Sequence, residues 1–213
     1  MDRLSQIDTF SSYTRVSRET ILSLKIFEKM LISENERLNL IGKSTIKDMW
    51  KRHFLDSYQV LDFIEENDKI IMDLGTGAGL PGIIIALGLK EKKMPIKMNL
   101  LEKSRKKTSF LKKAIHILKI NAEVINEDVT KEDFKLKESV FMARAFKPLE
   151  EILTLIHKKA ENWKKILIFQ GKNGSKELLH ASKTWDMKYK HRQSVTSNDS
   201  LILEIKELKK KIE

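Results

Sequence analysis

The sequence predicts an α/β protein: a mostly parallel sheet with one antiparallel edge strand, preceded by a cap of helices. Three observations predict it. A short apolar run, Ile70-Ile71-Met72-Asp73-Leu74, stops at closely spaced glycines and gives way to an apolar helical stretch. That order reads as a buried parallel strand, a tight turn and a helix. Beyond it, short apolar runs alternate with helical patterns, as in repeated βα units. Finally, two strand-like runs at 187–195 and 201–208 are joined around Ser197-Asn198-Asp199, a hairpin that supplies the antiparallel strand.

The elements follow in order. Ile7, Phe10 and Tyr13 recur at three-residue spacing, which suits a short helix over residues 1–16. Ser17 is a fair N-cap with Glu19 in the favourable first turn, and Ile21, Leu24, Phe27 and Leu31 then mark one buried stripe. Asn39-Leu40-Ile41-Gly42 reads as a turn. Residues 45–64 carry Ile46, Met49, Trp50, Phe54, Leu55, Tyr58, Leu61 and Ile64, a pattern that predicts one long helix. After the glycine turn, Pro81 is tolerated in the first turn of a helix. Strands are expected at 96–101, 122–126, 140–145 and 165–169. Helices are expected from Ser104, from Pro148 with Glu150 and Glu151 in its first turn, and over 175–182.

With 213 residues, 41% of them hydrophobic, the chain can bury a substantial core. No glycine or proline linker separates the N-terminal helices from the strand at Ile70, so the expectation is one domain over 1–213, with a helical cap at 1–66 and an α/β core at 67–213. There is no cysteine, which excludes disulfides and thiolate metal sites. No apolar stretch approaches the ~20 residues that span a bilayer, and residues 1–12 lack the apolar segment of a signal peptide. A cytoplasmic monomer without membrane or metal is the expectation. The net charge is +11, from 41 Lys+Arg against 30 Asp+Glu. That balance suits a polyanion such as nucleic acid, although lysines mixed with acids on helix faces are often only solvated surface.

The chemistry centres on the glycine turn. Gly75, Gly77 and Gly79 let the backbone bend tightly and approach a ligand. The spacing Gly77-x-Gly79-x-x-Gly82 formally matches a dinucleotide fingerprint, so NAD is one reading and a ligand-free turn another. Asp73 weighs against NAD, because a carboxylate beside the turn repels a pyrophosphate. It attracts the cationic amino-acid end of S-adenosylmethionine. Glu102 stands at the end of the second strand, 20 residues after Gly82, about where an acid receives ribose hydroxyls in doubly wound folds.

The pattern extends further. Asn39-Leu40 precedes Arg52-His53-x-x-Asp56-Ser57, then Asp73-Leu74-Gly75-Thr76-Gly77-Ala78-Gly79-Leu80-Pro81-Gly82, then Arg144-Ala145-Phe146 and a strand ending in a Gly171 turn. In this order the chain resembles the small-subunit ribosomal RNA methyltransferase G family, also called glucose-inhibited division protein B, over about residues 35–172. The resemblance implies a class I methyltransferase sheet and transfer of a methyl group from S-adenosylmethionine to N7 of one guanine in the 530 loop of 16S rRNA, free or in the 30S subunit. It implies that Gly75 and Leu80 line the donor's methionine and ribose, that Val129 and Thr130 contact adenine, and that Arg144 lies beside the donor at the substrate entrance. From the residues themselves, Gly77 is a further donor-binding candidate and Asp128 is expected to hold adenine with the Val129 backbone. Asp73 would take the amino end and Glu102 the ribose.

Arg52, His53 and Lys172 are candidate RNA contacts. A structural role for His53 and a salt-bridge role for Arg144 stand beside those readings, and Asp56 is expected to pair with Arg52 or with a backbone turn. The chain departs from the family where Gln170-Gly171 replaces the usual Lys-Gly. The N7 atom has a free lone pair and no proton, so its methylation needs no general base. Catalysis then rests on holding N7 in line with the methyl at about 3–3.5 Å. The same scaffold could instead methylate another RNA or a small molecule, or bind RNA without catalysis.

Overall fold

The computed structural model describes residues 2–211. Strands β1 (Ile70–Leu74), β2 (Lys97–Leu101), β3 (Ala122–Ile125), β4 (Val140–Arg144), β5 (Lys165–Gln170), β6 (Trp185–Ser194) and β7 (Ser197–Lys210) form one sheet in the order β3-β2-β1-β4-β5-β7-β6. Pairings from β3 through β5 are parallel, whereas β7 runs antiparallel to both β5 and β6 at one side of the sheet. Side chains alternate across it. Ile71, Met98, Val140 and Met142 join one core cluster, and Met72, Leu101, Phe141 and Ala143 join the other. Both faces are therefore covered, as the mainly apolar composition of these strands requires.

Helix α1 (Arg3–Thr14) is capped by the Asp2 carboxylate, which accepts from the Ser5 N–H. Helix α2 (Arg18–Leu38) is capped by Ser17 and ends at Asn39 in the left-handed region, which asparagine tolerates well. These helices do not stand apart. Phe27 stacks on Phe54 at 6.1 Å and on Phe110 at 6.3 Å, so one apolar cluster runs from the N-terminal helices into the sheet's own helices. Truncating Phe27 to alanine would cost about 3–5 kcal/mol.

The expected long helix over 45–64 is instead a series of short turns. A 3₁₀ segment at Lys43–Asp48 leads into a π turn at Trp50–Leu55, one α-helical turn, α3 (Asp56–Tyr58), and a second 3₁₀ segment at Gln59–Phe63. The apolar residues are buried as anticipated, with Trp50, Phe54 and Leu55 all 4% exposed or less. A regular helix would turn its intervening polar residues to solvent. The wider π turn changes that phase, and His53 and Asp56 are brought to the end of β4 instead.

The remaining helices are α4 (Gly82–Glu91), α5 (Arg105–Leu118) with the expected Ser104 cap, α6 (Leu149–Lys159) and α7 (Gly174–Thr184). The last hairpin turns at Val195-Thr196, and Ser197-Asn198-Asp199 are the first residues of β7. Tertiary contacts set that position. The Gln59 side-chain carbonyl accepts from the Val195 N–H, and Asp56 accepts from the Ser194 and Thr196 hydroxyls.

From β1 the chain moves outward to β2 and β3, then crosses to the opposite side of β1 to begin β4. The strand order reverses between β1 and β4, and ligands of open α/β sheets bind at the carboxyl ends of the strands at such a switch point.

Candidate active site

At the end of β1 the chain bends through Gly75 (φ 65°), Gly77 (φ 57°) and Gly79 (φ 84°). Gly75 is constrained twice, since a Cβ there would lie 2.1 Å from the Phe146 ring. At Gly77 an added Cβ would meet only the Gly75 carbonyl, at 3.8 Å, so this peptide faces open space. Asp73 anchors the bend from beneath. Its Oδ2 accepts from the Thr76 hydroxyl at 2.6 Å and from the Gly82 N–H at 2.9 Å. Its Oδ1 is buried without a partner. Burial pushes the Asp73 carboxyl up to about 6, against the lowering effect of those hydrogen bonds and of Arg144. The residue is wholly buried and does not line the cavity above the turn. It lies under the bend and not at its rim.

That cavity has a volume of about 580 Å³, within the usual range for small-molecule sites. Gly75, Gly77, Leu80, Glu102, Asp128, Val129, Thr130 and Arg144 all line it. Glu102 lies at the end of β2 with little exposure, its Oε2 accepting from the Gly77 N–H at 3.1 Å and its Oε1 from the Ser104 N–H at 2.8 Å. A carboxylate has about four acceptor sites, so capacity for ligand hydroxyls remains. Asp128 accepts from the Thr130 N–H and hydroxyl at 3.0 and 2.7 Å. Those bonds, chiefly the backbone one, hold its carboxyl below the ordinary range. Val129 between them is buried. The residues fit S-adenosylmethionine: an open glycine peptide, a carboxylate beside it for paired hydroxyls, and an apolar floor flanked by acceptors for an adenine ring.

Arg144, at the end of β4, is held from several sides. It donates to the Arg52 carbonyl at 2.7 Å and forms an ion pair with Asp56 at 3.2 Å. Its guanidinium faces His53 Nδ1 at 3.4 Å and lies over the Phe169 ring at 5.9 Å. Burial lowers its basicity, opposed by Asp56 and Asp73. Burial first, then the charges of Arg144 and Arg52, depresses the His53 pKa to about 4. The imidazole is therefore neutral near pH 7. With Nδ1 facing a donor-only guanidinium, the proton belongs on Nε2, which donates to the Thr45 hydroxyl at 2.8 Å.

The structure thus corrects the expected partner of Asp56: it pairs with Arg144, while Arg52 offers only its carbonyl to the same guanidinium. The Arg52 side chain is exposed on the surface. His53 lines the cavity. Lys172 is not brought there. It lies exposed on the loop after β5, beside a separate surface hollow with Ser175 and His191.

Phe146, Ala145, Lys103 and Lys107 also line the cavity and were not singled out for it in the sequence. The positive φ of Ala145 (49°) leaves no trace in residue type. Lys103 and Lys107 follow Glu102 at one and five positions, a signal hidden among the other lysines of α5. Among the described residues no group of three or more His, Cys, Asp or Glu side chains could hold a metal ion, and no helix is long and apolar enough to cross a membrane.

Among solved structures, the chain resembles PH0226 protein from Pyrococcus horikoshii OT3 (TM-score 0.57, 10% identity, 84% of this chain and 98% of that one). It also resembles the 16S rRNA methylase RmtB (TM-score 0.53, 13% identity, 90% and 75%). A third likeness is to M. jannaschii TYW2, solved in complex with AdoMet (TM-score 0.51, 15% identity, 76% and 78%). At these identities the likeness concerns the fold, that of class I methyltransferases. Sequence relatives are closer. The chain is 43% identical over 198 residues to ribosomal RNA small subunit methyltransferase G of Pelagibacter ubique, covering 92% of each. It is 35% identical over 195 residues to that of Rickettsia akari, covering 92% of this chain and 98% of the relative. The family model for rRNA small subunit methyltransferase G matches residues 20–205. The chain belongs to the rRNA small subunit methyltransferase G family, and its cofactor is S-adenosylmethionine.

Proposed function

We propose that this enzyme methylates N7 of a guanine in 16S rRNA, in the cytoplasm, with the rRNA presented free or within the 30S subunit. The observation that carries the reading is the meeting of two features at the switch point: a cavity walled by the glycine turn and Glu102, and the fixed guanidinium of Arg144 at its side. Bound S-adenosylmethionine supplies a methyl group activated by a sulfonium.

The roles of this chain's residues follow. The Gly75–Gly77 backbone and Leu80 border the methionine and ribose portion, and Glu102 receives ribose hydroxyls. Asp128 and Thr130 flank adenine over Val129. Asp73 keeps the turn closed from below through Thr76 and Gly82. Arg144, with five donors and no acceptor, can hold guanine O6, the acceptor next to N7. It cannot take the N7 proton because none exists, so this chemistry needs positioning rather than a base. His53, neutral and bonded to Thr45, acts as a positioning residue for Arg144. Exposed Lys103 and half-buried Lys107 on the cavity lining, with the chain's +11 net charge, suit the RNA backbone. Arg52 and Lys172 are proposed phosphate contacts further out.

The test is methyl transfer from labelled donor to unmodified 30S subunits and to free rRNA, followed by nucleoside analysis. Label in 7-methylguanosine supports the reading. Label in another nucleoside, or only in small-molecule fractions, overturns it.

A further inference from the structure

Next to the donor cavity lies a second hollow of about 300 Å³ that shares Arg144, Ala145 and Lys147 with it. Gln170, the last residue of β5, lines this second hollow. Its residue exposure is 6%, yet its side-chain amide makes no hydrogen bond within the protein among the described residues. The amide is open to the hollow and has no protein partner there, so it is a candidate for serving a ligand. Its position is enforced. Gly174 packs against it so closely that a Cβ there would lie 2.6 Å from Gln170 Cβ.

Glu177 lines the same hollow. It accepts the Leu149 N–H on Oε2 at 2.8 Å, and no partner engages Oε1. The neighbouring Asp56 is already committed to Arg144, Ser194 and Thr196. The open polar capacity of this hollow includes the Gln170 amide and one Glu177 carboxylate oxygen, with the Ser200 hydroxyl also on its lining.

We propose that Gln170 and Glu177 read the six-membered-ring edge of the acceptor guanine while Arg144 stands between that edge and the donor cavity. This rests on the reading of the enzyme as a guanine methyltransferase. An amide alone is ambiguous. It can donate to guanine O6 and accept from N1–H, but after a half-turn it can equally pair with adenine N6 and N1. An ionised carboxylate only accepts. It can take guanine N1–H or the N2 amino group, and finds no donor at the corresponding N1 and C2 positions of adenine. Glu177 thus fixes the sense in which Gln170 pairs, and the pair selects guanine. A site built to bond polar groups rejects an analogue that lacks them by large factors, since its own groups are then left unpaired.

The experiment uses the full chain with unmodified 30S subunits, with donor affinity measured in parallel by calorimetry. Gln170→Leu, close in size and able to keep the packing against Gly174, is expected to bind donor within about twofold of wild type and to lose at least about tenfold in kcat/KM for the subunit. Glu177→Gln retains a carbonyl acceptor for Leu149 and controls for folding. With subunits reconstituted to carry inosine at the target position, which lacks the N2 amino group, wild type should lose about tenfold and Glu177→Gln markedly less. Wild-type kinetics for both single variants, or an unchanged guanine-to-inosine ratio in Glu177→Gln, would overturn the proposal while leaving the enzyme's activity established. Absence of guanine methylation by wild type would instead remove the reading beneath it.

Discussion

The Arg144 guanidinium lies 3.2 Å from the Asp56 carboxylate, joining the end of β4 to the segment that precedes β1. Both side chains are at most 18% exposed. Asp56 also accepts from Gln59, Ser194 and Thr196, so one carboxylate ties the N-terminal segment, β4 and the last hairpin together. Asp56→Asn leaves a nearly buried guanidinium without its counter-charge and presents an amide N–H₂ to donors. We expect a loss of about 2–4 kcal/mol in unfolding free energy by denaturant titration. Methyl transfer should fall more than donor affinity, since Arg144 loses its fixed direction. Equal loss in both would mean that Arg144 acts on the donor alone.

The glycines of the turn differ in what they tolerate. Gly75→Ala forces a Cβ into the Phe146 ring at a positive φ, and Phe146 borders the donor cavity. Gly77→Ala meets open space and carries only the backbone penalty of about 1–2 kcal/mol. The expected order is a Tm depression larger for Gly75→Ala than for Gly77→Ala, and a donor affinity reduced at least tenfold only for Gly75→Ala. Calorimetric titration with S-adenosylhomocysteine reads the affinity. Equal affinities for Gly75→Ala and wild type would remove the turn from the binding site.

Glu102 holds the turn to the N-terminus of α5 through Gly77 and Ser104. Glu102→Gln replaces one acceptor oxygen by a donor that faces a backbone N–H, which costs about 1–2 kcal/mol. A ligand's paired hydroxyls also lose a charged acceptor, so donor affinity should fall about tenfold or more. An analogue lacking the ribose 2′-hydroxyl separates the two effects: it should bind wild type and variant with nearly equal affinity. A variant that discriminates the two donors as well as wild type does would exclude Glu102 from the ribose contact.

Much of this was legible in the sequence, and the limits have physical causes. The strand-turn-helix at Asp73–Gly82 and the acid after β2 were readable because apolar runs, positive-φ glycines and a charged strand end each leave a residue-type signature. The burial of Trp50, Phe54 and Leu55 was readable for the same reason, but their break into 3₁₀ and π turns was not. Within that segment the Arg52 carbonyl accepts from Arg144, 92 residues away in the chain, a contact that local periodicity does not contain. The hairpin turn moved from Ser197-Asn198-Asp199 to Val195-Thr196 because side chains of Asp56 and Gln59 hold it there. Local turn propensity was outweighed by contacts that a linear reading does not contain. Asp73 was recognised as part of the turn, but its depth beneath it depends on how α4 packs, which residue type alone does not report.

Asp73, wholly buried, and His53, half-buried, give opposed pH dependences. His53 has a folded pKa of about 4 against an ordinary 6.5. Between those values the unfolded chain binds the proton and the native one does not, so stability rises with pH from about 4 to 6.5 and falls on acidification. Asp73 has a folded pKa of about 6 against 3.8. There the native state holds the proton longer, so its contribution is present below about 3.8 and is lost as pH rises through 6. The two shifts are similar in size, each about 3 kcal/mol at 1.36 kcal/mol per unit, and they act in opposite directions between about pH 4 and 6. Removing one exposes the other. Relative to wild type, His53→Gln, whose amide can still accept from Arg144, should show stability that rises less with pH over this window, and Asp73→Asn stability that rises more. Urea titrations at pH 4.5, 5.5 and 6.5 on the three proteins decide it. Parallel pH curves for wild type and His53→Gln would mean that His53 takes up its proton in the native state at its ordinary pKa, and the neutral imidazole beside Arg144 would have to be abandoned.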